Sequence, residues 1–359
     1  MQMESMYYQD RGSMQMKNRQ HEEKQHADEI ADSIQKSSMH KSGRRNCRMG
    51  KIAAVCISTE RGTQKKETGQ AVFVEGWGIE GDAHAGHWHR QVSLLSFEKI
   101  EEFRDRGAQI DFGAFGENLV VEGFDLRKIP AGTQIQAGEA VLELTQIGKD
   151  CHSHCEIYKA MGDCIMPREG VFAKVIRGGI VRPGDEAVLL PLQKDRPFTA
   201  AVITLSDKGA AGEREDRSGP LVKEMLEAEG YAVIETLLLA DEQQPLERQL
   251  RRLADQRQVN VIFTTGGTGF SRRDITPEAT QAVCDRMADG IAQAVRQHSL
   301  AITGRAMFSR AVSGIRGQTL IINLPGSPKA VKESLEYLLE HLGHGLGILR
   351  GTDGECGEA

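Results

Sequence analysis

The sequence of 359 residues is poor in aromatic residues, in cysteine and in net charge. Aromatic residues make up 5% of the chain, which argues against a surface on which nucleic-acid bases stack. The formal net charge is −6 and no long basic stripe occurs, so we expect no nucleic-acid partner. The 7 cysteines are unevenly placed, a pattern typical of reduced thiols in the cytoplasm. No apolar stretch has the length needed to cross a bilayer, so we expect no membrane partner either.

Composition divides the chain into five segments. Residues 1–48 are rich in Met, Gln, Lys, Glu and Ser and lack aliphatic periodicity, which predicts a disordered tail. Residues 49–192 form a first predicted domain, and 193–197, bounded by prolines, form a short linker. Residues 198–351 form a second domain, and 352–359 a second disordered tail. Because Met49 leads directly into an apolar run, we also entertain the hypothesis that residues 1–48 are an upstream extension that is not always translated.

Strand and helix patterns alternate in the second domain. Apolar runs at 198–205, 232–239, 259–263 and 319–324 predict strands. Helical patterns open at Ser218, at Pro245, at Thr276 as the expected cap, and beyond Pro328. This alternation predicts a doubly wound α/β domain with a mainly parallel sheet.

A glycine-rich segment follows the third of these strands. Residues 264–269 read TTGGTG, and glycines allow backbone N–H groups to approach phosphate oxygens closely. No Gly-Lys-Ser/Thr follows, so this is not a Walker loop. Asp274, a few residues on, offers a carboxylate for a phosphate-bound Mg²⁺. Taken alone, the segment is equally compatible with a tight turn that binds nothing.

The ends of the other strands carry small or acidic residues as well. They are Ser206 and Asp207 after the first strand, Asp241 after the second, and Pro325, Gly326 and Ser327 after the fourth. Ligands of open α/β sheets bind outside the carboxyl ends of the strands. Four such loops together therefore favour a pocket for phosphate and metal.

These motifs occur in the order found in a known family. SDK at 206–208, SGP at 218–220, TTGGTG at 264–269, RDITPEA at 273–279, SRA at 309–311 and LPGSPK at 324–329 resemble the MoaB/Mog family of molybdenum cofactor biosynthesis. The resemblance covers about 198–351. It implies an enzyme that joins AMP from ATP to the terminal phosphate of molybdopterin, releases pyrophosphate and uses Mg²⁺. It also implies a homotrimer formed through this domain.

The resemblance assigns roles to individual residues. Asp274 and Asp241 are the expected catalytic carboxylates and Mg²⁺ ligands. The expected ligand-binding positions are Ser206, Asp207, Thr265, Gly266, Gly267, Thr268, Gly269, Glu278, Ser309, Arg310, Pro325, Gly326, Ser327 and Lys329. Such a reaction needs no protein nucleophile, because the pterin phosphate attacks the α-phosphorus; the protein positions two anions and neutralises charge.

Simpler interpretations of some of these residues stay open. Asp241 is also typical of a helix start or turn. Lys329 is also typical of a solvated lysine in a first helical turn. Ser309 and Arg310 are compatible with local capping and pairing.

The first domain has short apolar runs separated by turn residues. Runs at 52–58, 71–75, 92–96, 118–121, 138–147 and 186–190, with one helical pattern at 97–106, predict a mostly-β barrel. GDAHAG at 81–86, HRQVSLL at 89–95, FGENL at 115–119 and GKDCH at 148–152 resemble the MOSC domain, over about 49–192. This resemblance implies a module that binds the cofactor or carries sulfur, with Cys151 as the catalytic thiol.

Two alternatives compete for Cys151. It is compatible with an inert structural thiol. It is also compatible with a zinc or iron–sulfur site shared with His152, His154, Cys155 and Cys164, although no Cys-x₂-Cys pair is present. If reactive, Cys151 would have its pKa lowered by Lys149 and the nearby histidines. Separately, His84, His87 and His89 indicate an anion-binding or structural loop.

The sequence thus predicts a two-module cytoplasmic protein that adenylylates molybdopterin. Its expected ligands are molybdopterin, ATP and Mg²⁺, with no pyridoxal phosphate. A cysteine desulfurase and the molybdate-insertion protein are candidate partners. The alternatives are a molybdopterin-binding protein without catalysis and a sulfur carrier dependent on Cys151.

Overall fold

The computed structural model describes residues 49–149, 158, 161–193 and 195–352. The tail predicted at 1–48, and residues 353–359 of the second predicted tail, lie outside these ranges. So do Cys151, His152, His154 and Cys155. Among the described helices, none is both long enough and apolar enough to cross a bilayer.

Seven strands close into a barrel in the first domain. In chain order the strands of this domain are β1 Met49–Ile57, β2 Lys66–Thr68, β3 Ala71–Val74, β4 Gly78–Ile79, β5 Val92–Ser96, β6 Leu119–Glu122, β7 Gln134–Ala137, β8 Ala140–Ile147, β9 Val171–Arg177, β10 Gly179–Val181 and β11 Glu186–Leu189. The barrel order is β11-β7-β8-β9-β5-β6-β1, and β11 pairs back onto β1. Strand β2 extends β1, while β10, β3 and β4 form a separate small sheet. The predicted β-barrel is confirmed.

Alternation along the barrel strands fills the interior. Ile52, Leu94, Leu142 and Val171 belong to one buried apolar cluster inside the ring. A helix at Phe97–Asp105 covers the outside, with Phe103 in a second cluster. Phe103 is 1% exposed, and burying a side chain of this size stabilises a fold by about 1.5–3 kcal/mol. Two further short helices of this domain lie in the described ranges, at Met166–Glu169 and, as a 3₁₀ turn, at Leu126–Lys128.

The second domain is built on a six-stranded mixed sheet. Its strands are β12 Thr199–Leu205, β13 Ala232–Leu239, β14 Val261–Thr265, β15 Arg286–Met287, β16 Ser313–Arg316 and β17 Thr319–Leu324. The order is β13-β12-β14-β17-β16-β15, in which the first four strands are parallel and the last two antiparallel. The predicted α/β fold with a mainly parallel sheet is confirmed. The antiparallel edge escaped the sequence analysis because β15 and β16 are short and partly polar.

Helices cover both faces of this sheet. They span Asp207–Ala210, Ser218–Ala228, Gln243–Arg251, Thr276–Val283, Asp289–Ile302 and Pro328–Arg350, with a π-helical turn at Arg252–Gln256 and a 3₁₀ turn at Gly304–Phe308. Successive residues of β12 point to opposite faces. Accordingly Val202 packs in the apolar cluster on one face and Ile203 in that on the other.

Two helix starts differ from those predicted. The helix expected at Pro245 begins two residues earlier, at Gln243. Thr276 is not the cap of its helix but its first residue, and Ile275 occupies the cap position without a side-chain hydrogen bond. The hydroxyl of Thr276 donates instead to the carbonyl oxygen of Gly266 at 2.9 Å, because the loop after β14 folds back over the helix start.

The barrel and the sheet belong to one compact unit. Arg350, at the end of the long C-terminal helix, donates to the carbonyl oxygens of Arg196 at 2.6 Å and Pro197 at 2.9 Å in the linker. Its guanidinium also lies over the ring of Phe198, 4.0 Å from the centroid. The C-terminal helix thereby holds the segment that joins the two domains.

Candidate active site

The glycine loop lies at the carboxyl end of β14 and has a backbone that glycine alone adopts easily. Gly266 and Gly267 have φ angles of 99° and 64°, in the left-handed region. A Cβ atom on Gly266 would overlap the carbonyl oxygen of Leu205, and one on Gly267 would overlap the hydroxyl of Thr276. Two independent constraints, conformation and space, therefore require glycine here.

Hydrogen bonds join this loop to the loop after β17. The hydroxyl of Thr265 donates to the carbonyl oxygen of Pro325 at 2.7 Å, and that of Ser218 donates to the carbonyl oxygen of Gly326 at 2.9 Å. A Cβ atom on Gly326 would stand 3.3 Å from the Cα atom of Gly266. The predicted loops after β14 and β17 are thus in direct contact.

Asp207 and Asp241 bind each other's backbone. The N–H of Asp207 donates to Asp241 Oδ2 at 2.9 Å, and the N–H of Asp241 donates to Asp207 Oδ1 at 3.0 Å. The guanidinium of Arg273 makes a two-pronged contact with Asp207, at 2.9 and 2.6 Å. The first and second strand ends are therefore locked together at the edge of the glycine loop.

The two carboxylates differ in their electrostatics. Burial raises the pKa of Asp241, and the negative charges of Asp207 and Asp274 raise it further. Hydrogen bonds from Arg273 lower the pKa of Asp207. Since Arg273 pairs with Asp207, Asp241 is the carboxylate that a cation arriving from solution would stabilise most.

Asp274 lies against the far side of the glycine loop. Its Oδ2 accepts from the N–H of Ser271 at 3.0 Å and would be 2.8 Å from a Cβ atom on Gly269. On the near side, Asp241 Oδ1 would be 3.2 Å from a Cβ atom on Gly267. The loop thus has one carboxylate close to each end.

Arg310 braces this arrangement. Its guanidinium donates to the carbonyl oxygens of Gly269 at 2.7 Å and Asp274 at 2.6 Å, and it forms an ion pair with Glu278. Its own N–H donates to the carbonyl oxygen of Thr268 at 2.9 Å. Arg310 and Glu278, both predicted to bind ligand, therefore contact the loop itself in this structure.

The other predicted ligand-binding residues have local contacts. Ser206 and Ser327 accept from backbone N–H groups at the starts of their helices, at 3.1 and 3.3 Å. Ser309 accepts from the N–H of Ala311 at 3.3 Å. The Lys329 side chain is 84% exposed and lies 3.8 Å from Glu333. Their assignment to ligands stays a prediction.

Three residues that shape the site were given no role by the sequence analysis. Arg273 is the partner of Asp207. Asp216 accepts from the N–H groups of Ser218 and Gly219, both at 3.0 Å, and so caps the helix beside the Gly326 loop. Asn323 donates to the hydroxyl of Thr264 at 2.9 Å beneath the glycine loop. A polar residue inside the apolar run of β17 was the signal available for Asn323.

The barrel contains a buried ion pair. Lys65 Nζ lies 2.5 Å from Asp82 Oδ2, and the two side chains are 1% and 0% exposed. The carboxylate of Asp82 also accepts from the N–H groups of Ser58 and His84 and from Asn118 Nδ2, at 3.2, 2.9 and 3.0 Å. The predicted histidine-rich loop is organised by this pair at His84.

The three histidines of that loop have different partners. His84 Nδ1 lies 3.5 Å from Asp82, His87 Nδ1 lies 3.2 Å from the carbonyl oxygen of Gly76, and His89 Nε2 lies 2.9 Å from Gln146 Oε1. Within the described ranges, no group of three or more His, Cys, Asp or Glu side chains is arranged to hold a metal ion.

The described cysteines are poor candidates for a reactive thiol. Burial raises the pKa of Cys56 to about 12 and that of Cys284 to about 11. Cys164, one of the residues of the alternative metal site, is buried in the apolar cluster beneath the helix Phe97–Asp105. Cys151 lies outside the described residues, so its role stays a prediction.

Comparison with known proteins separates the same two domains. Residues 81–188 match the family model of the MOSC domain, and 201–344 match the model described as a probable molybdopterin binding domain. The chain is thus of the class that joins a MOSC barrel to a molybdopterin-binding α/β domain.

The second domain is similar to individual proteins of known name. The molybdopterin adenylyltransferase of Helicobacter pylori is 38% identical over 153 residues, which cover 42% of this chain and 87% of that protein. Those of Haemophilus influenzae and Escherichia coli are 41% and 42% identical, and 74% and 70% of their lengths are covered. A crystal structure of the molybdopterin biosynthesis enzyme MoaB from Thermus thermophilus is 43% identical, covers 43% of this chain and 97% of its own, and has a TM-score of 0.42. Through its second domain, the chain belongs to the molybdopterin adenylyltransferase family.

Proposed function

We propose that the second domain transfers AMP from ATP to the terminal phosphate of molybdopterin and releases pyrophosphate. One observation carries the proposal: Asp241 and Asp274 flank a glycine loop whose backbone is held by Thr276, Arg310 and the Pro325 carbonyl. A rigid loop of N–H groups beside two carboxylates suits a phosphate chain that carries a metal ion. The relatives named as adenylyltransferases support the same reaction.

The donor set fits Mg²⁺. This ion is usually held by one or two carboxylates together with substrate phosphates. Asp241, whose pKa is raised by burial and by neighbouring negative charge, is stabilised by a nearby cation, and Asp274 is the second ligand. When bound, Mg²⁺ would neutralise charge on the phosphates. The chain's own contribution is to orient both anions and to exclude water between the loops.

Measurement of pyrophosphate release from ATP in the presence of molybdopterin tests this function. Asp274→Asn and Asp241→Asn each remove a carboxylate of almost unchanged shape, and we expect release to fall by at least about a hundredfold, as for lost charge stabilisation. Glu242→Gln is the matched control, since Glu242 is adjacent to Asp241 but exposed. Molybdopterin binding without pyrophosphate release by the native protein would instead establish a binding protein without catalysis.

We further propose that the barrel binds the cofactor or carries sulfur on Cys151. The MOSC match includes this residue, and the high pKa of Cys56 argues against that other thiol of the barrel. A cysteine desulfurase is the candidate sulfur donor and the molybdate-insertion protein the candidate acceptor of the product. Incubation with a desulfurase should leave a persulfide on Cys151 by peptide mass spectrometry. Unchanged sulfur transfer by Cys151→Ser would contradict the proposal.

We propose a homotrimer formed through the second domain and a cytoplasmic location. An apolar groove of about 680 Å³ runs between the helices Asp289–Ile302 and Pro328–Arg350 and is lined by Ile291, Leu342 and Ile348 among others. Ile348→Asp should convert the trimer to monomer in light scattering coupled to size exclusion. Cys56 and Cys284 are free thiols, as suits a reducing compartment. Cell fractionation tests the location.

A further inference from the structure

A turn of the α/β domain contacts the barrel through a strained backbone conformation. The π-helical turn Arg252–Gln256 leads into Gln258, a non-glycine residue with φ of 49°. Gln258 Oε1 accepts from the N–H of Ala131 at 2.8 Å, and Gln256 Oε1 lies 3.5 Å from Gln146 Nε2 of β8. π-Turns and left-handed non-glycine residues concentrate at functional sites, where the strain is compensated.

Arg257 lies inside this junction, and two of its donor nitrogens are unused among the described residues. Its side chain belongs to a residue that is 5% exposed, and within the described ranges its Nε and Nη1 atoms are buried without a hydrogen-bond partner. An unpartnered guanidinium costs a protein several kcal/mol, so such groups are normally paired or bind an anion. Burial lowers the pKa of Arg257 to about 10, which expresses the same cost.

Arg90, from the barrel, belongs to the same junction, because its neighbour His89 lies 2.9 Å from Gln146 Oε1 and Gln146 Nε2 lies 3.5 Å from Gln256 Oε1, next to Arg257. The Nε of Arg90 is also buried and, in the described part of the chain, unpartnered. The guanidinium is held by the rings of Trp88 and Phe172, at 4.9 and 5.6 Å from their centroids. The positive charge of Arg90 lowers the pKa of Arg257, so the two groups repel each other. Two aromatic rings thus contact a half-buried cation whose charge acts on the buried guanidinium of Arg257.

The neighbouring charges do not neutralise this pair. Arg252 is a third cation, and it forms an ion pair with Glu235, the carboxylate that, within the described ranges, raises the pKa values of Arg90 and Arg257. His89, the remaining titratable group here, has its pKa lowered to about 4 by burial and by the charges of Arg257 and Arg90. Among the described residues, three guanidiniums therefore share one carboxylate, and a neutral imidazole lies beside them.

We propose that Arg90 and Arg257 form a binding site for a phosphate dianion, free or as a phosphomonoester, between the barrel and the α/β domain. Guanidinium groups bind phosphate through two parallel hydrogen bonds, and each residue has unused donors for it. The site is separate from the glycine loop. Arg257 precedes β14, the glycine loop follows it, and five strand residues span roughly 13 Å.

The proposed site is built from residues of both domains. Arg90 and His89 come from the barrel and Arg257 from the α/β domain, so a bound dianion contacts both. Ligand binding should therefore depend on the docked arrangement, and phosphate should stabilise that arrangement by linkage.

Phosphate binding to the full chain tests the proposal. Equilibrium dialysis with inorganic phosphate at constant ionic strength should show a site whose affinity falls at least about tenfold in Arg257→Gln and in Arg90→Gln, since each removes a charged hydrogen bond. Arg248→Gln, an exposed arginine on the preceding helix, is the matched control and should bind as the native protein does. Unchanged affinity in both cluster variants would overturn the site.

A local readout separates this site from the glycine loop. In nitrogen-15 NMR of the native protein, the pKa of His89 should rise from about 4 when phosphate is added, because a bound phosphate anion offsets the charges of Arg257 and Arg90. His89→Gln assigns the resonance. A rise with AMP as well as phosphate identifies a phosphomonoester site, whereas a rise with phosphate alone identifies free phosphate. An imidazole that titrates identically with and without both probes would refute the inference, even if Arg257→Gln fails to fold.

Discussion

Replacement of Lys65 by Met should destabilise the barrel by about 3–5 kcal/mol, the loss typical of a broken buried ion pair. The charges of Lys65 and Asp82 are 2.5 Å apart and almost fully buried. At an effective dielectric constant of about 20, Coulomb's law gives roughly 7 kcal/mol for their attraction. The net loss is smaller because Asp82 keeps its hydrogen bonds from Ser58, His84 and Asn118.

Tryptophan fluorescence in urea measures this domain separately. The chain has 2 tryptophans, Trp77 and Trp88, and both are in the barrel. Lys99→Met is the matched control, because Lys99 pairs with Glu102 at 2.8 Å on the surface, where such a pair contributes about 1 kcal/mol or less. A loss for Lys65→Met no greater than that for Lys99→Met would refute the reasoning.

A double variant measures the cost of leaving the Asp82 carboxylate without its partner. Adding Asp82→Asn to Lys65→Met removes the unpaired carboxylate and should recover part of the loss. In the native protein, burial opposes ionisation of Asp82, but hydrogen bonds from His84 and Lys65 hold its pKa well below the ordinary value. This contribution is present above about pH 4 and is lost as the pH falls further, so acid should narrow the gap between Lys65→Met and the native protein.

Three further predictions concern the loop and the barrel. Gly267→Ala should cost about 2–5 kcal/mol and abolish AMP transfer, because its Cβ overlaps Thr276 at φ of 64°. Gly317→Ala, at φ of 57° in open space, should cost about 1 kcal/mol, both costs being measured by urea denaturation followed by far-ultraviolet circular dichroism, which reports on the helices of this domain. Arg310→Gln should lower AMP transfer about a hundredfold by releasing the loop, and Arg305→Gln, which is exposed, should not. Burial raises the pKa of Glu117 from 4.5 to about 7, so between these pH values the folded barrel holds a proton that the unfolded chain has released. Barrel stability should therefore fall by about 1.4 kcal/mol per pH unit as the pH rises through this range. Glu117→Gln should remove that pH dependence.

The sequence predicted the fold and the strand-end loops because both follow from local patterns. Alternating apolar runs determine strands, and glycines with prolines mark the loops that close the site. It did not predict how Asp207, Asp241 and Arg273 divide their charges, since these residues come from three different loops and their pairing depends on tertiary distance. The unpaired donors of Arg257 were equally invisible, because an arginine after a helix normally lies in solvent.

The contacts of Arg350 matter for how the domains are separated experimentally. A fragment that starts at residue 198 lacks the Arg196 and Pro197 carbonyls and leaves a guanidinium with two idle donors at its terminus. Thermal unfolding of such a fragment would give too low a value for the stability of the domain. A fragment that starts at Asp195 retains the carbonyl oxygens of Arg196 and Pro197 as acceptors for Arg350, and it is therefore better suited to crystallisation and assay of the catalytic domain.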